Sequence, residues 1–299
     1  MKIEELSALF LEFVLKVKQN VCKVVEEDYI AKHRTNVDWN VFDPVNHEKL
    51  FKMMWDRTAP TWASVEKDST YTQTIMCFIE RLSKLPNIQG RKLRIVSLGS
   101  GPGLYEIFLA YWLRSIGRNA RIFSIDYSDG MIEFQKKLLS SDMRIGDTRL
   151  SVLANHVTPV VGDMEDLRRF AGCADIVLCN NSLQWVKDWR AAVREMSLCL
   201  NKDGLKIFIA VVHPHPMKVN VEDRTIERPF VSDEDLLDGL ELNKIQPVFQ
   251  RYISGTMGTG QGGGQLNRMY LEASLKPNGI RTTWREMIHT PRAPRFVKL

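Results

Sequence analysis

The chain has 299 residues, which is enough for one large domain with added segments or for two small domains. Its hydrophobic content of 44% and charged content of 26% are typical of a globular protein. No apolar run approaches the roughly 18 residues of a membrane span. Charged residues also interrupt the N-terminal apolar positions, so no secretory signal is expected and a cytoplasmic location is predicted.

The net charge of +5 is concentrated at one end of the chain. Residues 276–299 carry six basic side chains and one acidic side chain, so the rest of the chain is neutral overall. A broad basic face for nucleic acid is therefore not indicated. The five cysteines form no Cys-x-x-Cys pair, and three of them lie in apolar runs. We expect buried free thiols and no metal site.

Helical patterns dominate the N-terminal part of the chain. Apolar residues at three- and four-residue steps predict an amphipathic helix over residues 3–27, and a second helical region is predicted around 46–56. A third helix is predicted over residues 70–85, before a proline and a glycine. We assign residues 1–88 to an N-terminal helical cap or lid.

From residue 93 onward, short apolar strands alternate with helices. The predicted strands lie at residues 93–98, 120–125, 157–161, 174–179 and 205–212, and the helices between them at 105–116, 128–140 and 189–200. Ser128 is the expected N-cap of the second of these helices. Such alternation predicts a parallel sheet with crossover helices.

The last elements predict an antiparallel edge to this sheet. A helix is expected over residues 232–240, and two strands over 246–253 and 266–275 with a glycine-rich loop between them. The expected fold is α/β, a Rossmann-like seven-stranded, mostly parallel sheet with an antiparallel C-terminal hairpin. This domain is placed at residues 89–279, and residues 280–299 form a basic tail.

A glycine-rich turn follows the first predicted strand. Gly99, Gly101 and Gly103 stand between this strand and the next helix, where bare backbone and helix N–H groups can face a ligand. The spacing is G-x-G-x-G, which differs from the G-x-G-x-x-G pattern of dinucleotide sites. Taken alone, the segment has a serious alternative, which is a tight strand–helix turn without a ligand.

Polar residues suited to a nucleoside follow the next strands. Asp126 can accept hydrogen bonds from ribose hydroxyls, although it can also serve as a helix N-terminal charge. Asp163 can accept from a purine amino group beside the soft Met164 side chain, or cap the following turn. Asn180 and Ser182 follow the fourth strand. Ligands in open α/β sheets bind outside the carboxyl ends of strands, so together these positions indicate a nucleoside site.

These segments together resemble the class I methyltransferases that depend on S-adenosyl-L-methionine (SAM). The resemblance is to the small-molecule branch, related to quinone-biosynthesis and malonyl-carrier-protein methyltransferases. The segments that carry it are LRIVSLGSGPG, SIDYSDGMIEFQKK, VVGDMEDL, ADIVLCNNSLQWVKDWRAAVREMSLCLNKDGLKIFI and, upstream, WDRTAPTWASV. It covers residues 54–212 well and 213–275 by topology alone. These motifs are specific for SAM and not for the methyl acceptor.

The resemblance implies SAM as the cofactor and a role for each strand end. The residues implied to face its methionine part are Gly99, Ser100, Gly101 and Gly103. Asp126 is implied to hold the ribose, and the residues implied to contact the adenine are Tyr127, Met131, Asp163 and Met164. Asn180 and Ser182 are implied to lie near the sulfonium end. Ser100 departs from the Glu/Asp-x-Gly or Cys-Gly-x-Gly variants that the family often has.

The methyl acceptor has weaker signals. His213 is the candidate general base by its position after the fifth strand, and a Pro-bracketed loop without catalytic duty is an equal alternative. The candidate substrate residues are Tyr71, Gln184, Trp185 and His215, for which ordinary packing is the alternative. An aromatic N-terminal region suits a lid over an apolar or aromatic acceptor, and its tryptophans are Trp39, Trp55 and Trp62.

The function expected from the resemblance is methyl transfer from SAM to a small molecule, at oxygen or carbon rather than nitrogen. The alternative is a SAM-binding, non-catalytic regulatory or partner subunit of a methyltransferase complex. A nucleic-acid amino-methyltransferase is disfavoured, because Asn180 is followed by Asn181 and Ser182 instead of a Pro-Pro-aromatic element. A homodimer is left open.

Overall fold

A computed structural model describes residues 2–22, 69–85, 92–201, 206–213, 217–221, 224–228, 233–257 and 264–275, with single positions at 52, 55, 56 and 59. Outside the described residues lie most of the helical region predicted at 46–56, the centre of the glycine-rich loop, His215 and the tail at 280–299. His213 and Gln184 are described by their backbone alone.

Eleven strands are present in the described part of the chain. In chain order they are β1 Leu93–Leu98, β2 Ala120–Asp126, β3 Arg144–Ile145, β4 Thr148–Arg149, β5 Val157–Val161, β6 Ile176–Asn180, β7 Lys206–His213, β8 Met217–Val221, β9 Arg224–Arg228, β10 Ile245–Met257 and β11 Gly264–Leu275. Seven of them form one sheet in the order β10-β11-β7-β6-β1-β2-β5. The five strands from β7 to β5 are parallel, and β11 runs antiparallel to both β7 and β10. The predicted α/β fold is confirmed.

Seven α-helices connect or cover these strands within the described residues. They are α1 Ile3–Val17, α2 Ser69–Ser83, α3 Leu104–Ser115, α4 Asp129–Ser140, α5 Leu150–Leu153, α6 Trp189–Cys199 and α7 Asp233–Leu242. The Ser128 side chain accepts a hydrogen bond from the Met131 amide at the start of α4, so the predicted cap is confirmed. No helix in this part of the chain is long and apolar enough to cross a bilayer.

The sheet is covered on both faces, which is why β1 is apolar along most of its length. Successive side chains of a strand point to opposite faces, so Ile95 joins one core and Val96 the other. Helices α1 to α5 cover the Ile95 face, and α6 and α7 cover the Val96 face. β1 is thereby buried at the centre of the sheet, with its carboxyl end at the sheet edge.

The N-terminal helix packs into the main core. Phe10 of α1 lies 5.0 Å from the ring of Phe108 in α3 and 6.2 Å from the ring of Tyr71 in α2. After Val17 the chain continues as a π-helical turn over Lys18–Cys22. Helix α1 therefore completes the core over the sheet. The boundary at residue 88 between an N-terminal cap and the α/β domain stays a prediction.

Two hairpins were not predicted from the sequence. β3 pairs with β4, and β8 pairs with β9, each pair antiparallel and outside the main sheet. β3 and β4 have two residues each, which is too short for a detectable alternation. β8 alternates apolar and polar residues over five positions, but Ile226 is the only apolar residue of β9. Neither strand is an apolar run of the kind that marked the strands of the main sheet.

Candidate active site

A cavity of about 370 Å³ opens at the carboxyl ends of β1, β2, β5 and β6. This volume is within the range of small-molecule sites, and the position is where open α/β sheets bind ligands. The predicted site residues that line it are Gly99, Ser100, Gly101, Asp126, Tyr127, Met131, Asp163, Met164, Asn180, Ser182, Tyr71 and Trp185. The strand ends that the sequence singled out thus meet around one cavity.

The glycine turn has the backbone that only glycine adopts without strain. The φ angles of Gly99, Gly101 and Gly103 are 61°, 56° and 77°. A Cβ atom on Gly103 would lie 2.0 Å from Nε2 of Gln135, so this glycine makes room for α4. Gly99 and Gly101 line the cavity, whereas Gly103 caps the start of α3 beside Gln135.

Ser182 connects the ends of β1 and β6. Its hydroxyl oxygen lies 2.9 Å from the carbonyl oxygen of Gly99 and 2.7 Å from that of Asn180. Asn180 ends β6, and its side-chain oxygen is buried without a hydrogen-bond partner among the described residues. The segment after β6 therefore holds the glycine turn and presents a polar atom at the cavity wall.

Asp126 bridges the glycine turn and the start of α4. Its Oδ2 accepts from the Gly101 amide at 2.7 Å, and its Oδ1 accepts from the Ser128 amide at 2.9 Å. Burial raises the pKa of this carboxyl to about 6, although the two amides oppose the rise, and the charge of Asp56 adds to it. Asp126 therefore braces the turn as well as facing the cavity.

Asp163 and Met164 lie where β5 ends. Asp163 accepts a hydrogen bond from the Glu165 amide at 2.8 Å, so the turn-capping alternative is present in the structure. The Met164 methyl carbon lies 3.1 Å from where a Cβ of Gly99 would stand, so this side chain lies against the glycine turn. Both residues line the cavity, and Asp163 also caps the turn that follows β5.

The sequence reasoning missed Glu106, the residue with the most unusual environment at the site. Glu106 lies in the first turn of α3 and is 3% exposed, and the Ser97 hydroxyl donates to its Oε1 at 2.6 Å. Its Oε2 has no hydrogen-bond partner among the described residues. Burial raises the pKa of Glu106 to about 7, and the nearby Asp126 adds to the rise. The available signal was an acid within a helix that is otherwise almost wholly apolar.

Aromatic residues from the N-terminal part of the chain reach the cavity. The rings of Trp55 and Trp185 meet edge to face, with centroids 4.9 Å apart, and both line it. Next to Trp55, Asp56 accepts from the Ser128 hydroxyl at 2.5 Å and the Gly130 amide at 2.9 Å. The segment around Trp55 is thereby attached to the start of α4.

Tyr71 forms a further part of the wall. Its ring packs against Tyr105 with centroids 4.1 Å apart, and the Tyr105 hydroxyl donates to the Tyr71 carbonyl oxygen. Both tyrosines are buried and both line the cavity. Tyr71, which the sequence placed among the substrate candidates, is therefore both a packing residue and a cavity residue.

The polar groups of this wall fit a polar ligand. Ser100 Oγ, Glu106 Oε2 and Asn180 Oδ1 are buried at the cavity without hydrogen-bond partners among the described residues. Leaving buried polar atoms unpaired is unfavourable, and a bound molecule with donors and acceptors would relieve it. The described residues hold no cluster of metal-ligating side chains.

Residues 96–208 match a family model described as a methyltransferase domain. The match spans the glycine turn, the ends of β2, β5 and β6, and the first three residues of β7. With the fold and the cavity, the match identifies residues 96–208 as a SAM-dependent methyltransferase domain, whose cofactor is S-adenosyl-L-methionine. No curated protein sequence matches the chain.

Solved structures share this architecture at low sequence identity. The [4+2]-cyclase SpnF is 14% identical, with a TM-score of 0.54 over 75% of this chain and 95% of that chain. A candidate sarcosine dimethylglycine methyltransferase from Galdieria sulphuraria is 12% identical, with a TM-score of 0.51 over 68% and 86%. Magnesium protoporphyrin IX methyltransferase from Synechocystis PCC 6803 with bound SAM is 15% identical, with a TM-score of 0.45 over 87% and 97%. At these identities the likeness to the first two structures, with TM-scores above 0.5, shows the fold alone.

Proposed function

We propose that this methyltransferase transfers the SAM methyl group to a small-molecule acceptor, at oxygen or carbon rather than nitrogen. The observation that carries the proposal is a cavity of ligand size at the strand ends, with the Trp55 and Trp185 rings on its wall. Aromatic rings provide apolar contact area for an acceptor of similar character. The segment after β6 lacks the Pro-Pro-aromatic element expected of nucleic-acid amino-methyltransferases.

The cofactor contacts follow the strand ends in this proposal. The methionine part of SAM lies against the glycine turn, where the contacting residues are Gly99, Ser100, Gly101 and, through the start of α3, Gly103. Asp126 holds the ribose, and the adenine contacts are Tyr127, Met131, Asp163 and Met164. Asn180 and Ser182 lie near the sulfonium end. The lining of the cavity by all but Gly103 supports these contacts.

The protein contributes position and exclusion of water to the reaction. SAM, when bound, supplies a methyl group on a positively charged sulfur, and transfer is an in-line displacement by the acceptor. The chain's own residues hold cofactor and acceptor together, which removes much of the entropic barrier of a bimolecular step. His213 is retained as the proposed base for an acceptor that must lose a proton, with Gln184 and His215 as further proposed acceptor contacts.

A product assay separates this function from that of a SAM-binding, non-catalytic subunit. The protein is incubated with SAM and a fractionated metabolite extract, and S-adenosylhomocysteine (SAH) and methyl-shifted masses are measured. An active enzyme forms SAH together with one compound that gains a methyl mass, and Asp126→Ala lowers both signals. SAM binding without SAH formation in any fraction would support the non-catalytic subunit instead.

Other features of the chain stay predictions. They are the division into a cap at 1–88, a domain at 89–279 and a basic tail at 280–299, the cytoplasmic location and a homodimeric state. Size-exclusion chromatography with light scattering measures the last of these directly.

A further inference from the structure

We propose that Glu106 binds the ammonium group of the SAM methionine part through its carboxylate oxygen Oε2. This inference rests on the proposed placement of the cofactor and adds a residue that the motifs do not assign. Glu106 lies one turn after the glycine segment, in the first turn of α3. Glu106 lines the cavity, and its carboxyl group is buried with Oε1 held by Ser97 and Oε2 without a partner among the described residues.

The other acidic residues of the described chain that are at most 6% exposed, Asp175, Glu195 and Glu272, have basic partners. Glu272 is 2% exposed and pairs with Arg81 at 2.6 Å and Lys206 at 3.2 Å. Asp175 is 1% exposed and lies 3.7 Å from the Arg94 guanidinium. No basic side chain of the described residues forms such a pair with Glu106. Because an unpaired buried carboxylate is strongly unfavourable, the environment of Glu106 among the described residues fits a cationic ligand.

Of the cations that a bound SAM offers, the ammonium group fits Oε2 best. An ammonium has N–H donors and forms charge-assisted hydrogen bonds to a carboxylate, whereas a sulfonium has no donor. The methyl acceptor enters from the more exposed part of the cavity, where Trp55 and Trp185 are only partly buried. Glu106 is almost completely enclosed and lies next to the glycine turn, on which the methionine part rests.

The titration of this carboxyl agrees with the geometry. Burial raises the pKa of Glu106 to about 7, and the Asp126 carboxylate adds to the rise while the Ser97 hydroxyl opposes it. A neighbouring ammonium favours the ionised form and reverses the rise. Without ligand, the group is therefore partly protonated near neutral pH, and the bound ammonium replaces that proton as its positive partner.

Calorimetric binding of three ligands tests the proposal. The ligands are SAM, SAH and 5′-methylthioadenosine, which has the adenosine and sulfur but no amino-acid part. Glu106→Gln should weaken SAM and SAH alike by at least about tenfold, the effect of losing a hydrogen bond between charged groups. Binding of 5′-methylthioadenosine should stay unchanged. Glu195→Gln, which alters a buried carboxylate of α6 on the other face of the sheet, should leave all three affinities unchanged.

Each other outcome overturns the proposal in a recognisable way. Equal weakening of all three ligands would assign Glu106 a structural role, and weakening of SAM without SAH would assign it to the sulfonium. Failure of the unaltered protein to bind any of the three ligands would reject the cofactor site itself, and this inference with it. Thermal melting checks that the Gln variant folds.

A second variant keeps the test valid if Glu106→Gln does not fold. Glu106→Asp retains the charge but withdraws the carboxylate by one methylene, so it should reduce the preference for SAH over 5′-methylthioadenosine. An SAH analogue with hydrogen in place of the ammonium group has no donor for Oε2, so it should bind the unaltered protein and either variant equally. A variant that weakens this analogue as much as SAH would overturn the assignment.

Discussion

A Cβ atom on Gly99 would lie 2.2 Å from the Cβ of Ser182. The ends of β1 and β6 therefore approach as closely as they do because residue 99 has no side chain. The Ser182 hydroxyl lies in hydrogen-bond distance of the Gly99 carbonyl oxygen, so the same contact also stabilises the turn. Gly99 is required here for space and, at a φ of 61°, for its backbone conformation.

Substitution of this glycine separates the two requirements. We expect Gly99→Ala to abolish measurable SAM binding and to lower the free energy of unfolding more than Gly172→Ala does. Gly172 has a φ of 65° and nothing within 4 Å of an added Cβ, so it carries the backbone cost alone. The loss of unfolding free energy should be larger in Gly99→Ala than in Gly172→Ala by about 1–3 kcal/mol, the usual cost of overpacking. Urea unfolding and calorimetry measure both effects, and equal losses in the two variants would contradict the steric explanation.

Asp126→Ala should weaken SAM binding by about tenfold or more, or about 1.5–3 kcal/mol for hydrogen bonds to a charged group. The physical reason is twofold, since the carboxylate faces the cavity and also accepts from the amides of Gly101 and Ser128. Asp129→Ala is the matched control, because that side chain is 64% exposed and pairs with Lys52. Unchanged SAM affinity in Asp126→Ala, measured by calorimetry, would reject its role in the site.

Removal of either tryptophan of the aromatic pair should weaken binding of the methyl acceptor more than binding of SAM. We expect Trp55→Ala and Trp185→Ala to raise the KM for the acceptor found in the product assay, with little change in SAM affinity. The edge-to-face contact itself contributes about 0.5–1.5 kcal/mol, so the double variant should lose less than the sum of the single ones. Steady-state kinetics of all three variants give this coupling. Strictly additive effects would show that the rings act separately.

The stability of the ligand-free protein should depend on pH through Glu106. Its folded pKa of about 7 lies above the ordinary 4.5, so the folded state keeps a proton that the unfolded chain releases. This contribution is fully present below about pH 4.5 and is lost as the pH rises to about 7. Asp126 acts in the same direction, between its ordinary 3.8 and about 6.

Glu106→Gln isolates this contribution from other titrations. As the pH rises from about 4.5 to about 7, the unaltered protein should lose up to about 3 kcal/mol of unfolding free energy relative to the Gln variant, because glutamine does not titrate. Urea unfolding at several pH values measures the difference. A difference that does not change with pH would show that Glu106 titrates normally in the folded protein.

Much of the central sheet was predictable from local sequence. The bounds of β1 and β5 coincide with the predicted strands, because both are short apolar runs bounded by turn residues. The Ser128 cap was also predictable, since a cap depends on residues three positions apart. The β8–β9 hairpin was missed because β8 alternates over only five residues and β9 has a single apolar residue.

The position of the site was predictable from the sequence, but several of its contacts were not. Polar residues at successive strand ends predicted the cavity, because parallel strands bring their carboxyl ends to one edge. The placement of Gly103 against Gln135 could not be read from spacing, since α4 belongs to another part of the chain. For Asp163 the sequence left two alternatives, and the structure contains the capping contact while also placing the residue at the cavity.

The sequence alone determined the class of fold, the cofactor and the strand ends around which the cavity forms. The fold class and the strand ends follow from periodicity, turn residues and spacing, all of which act over a few residues, whereas the cofactor follows from the resemblance to a known family. Only the tertiary structure decided that Glu106 is buried beside Ser97, with one oxygen unpaired among the described residues, and that Trp55 meets Trp185. The charge state of a buried acid and the contact of distant rings depend on what packs around them, and no local pattern contains that information.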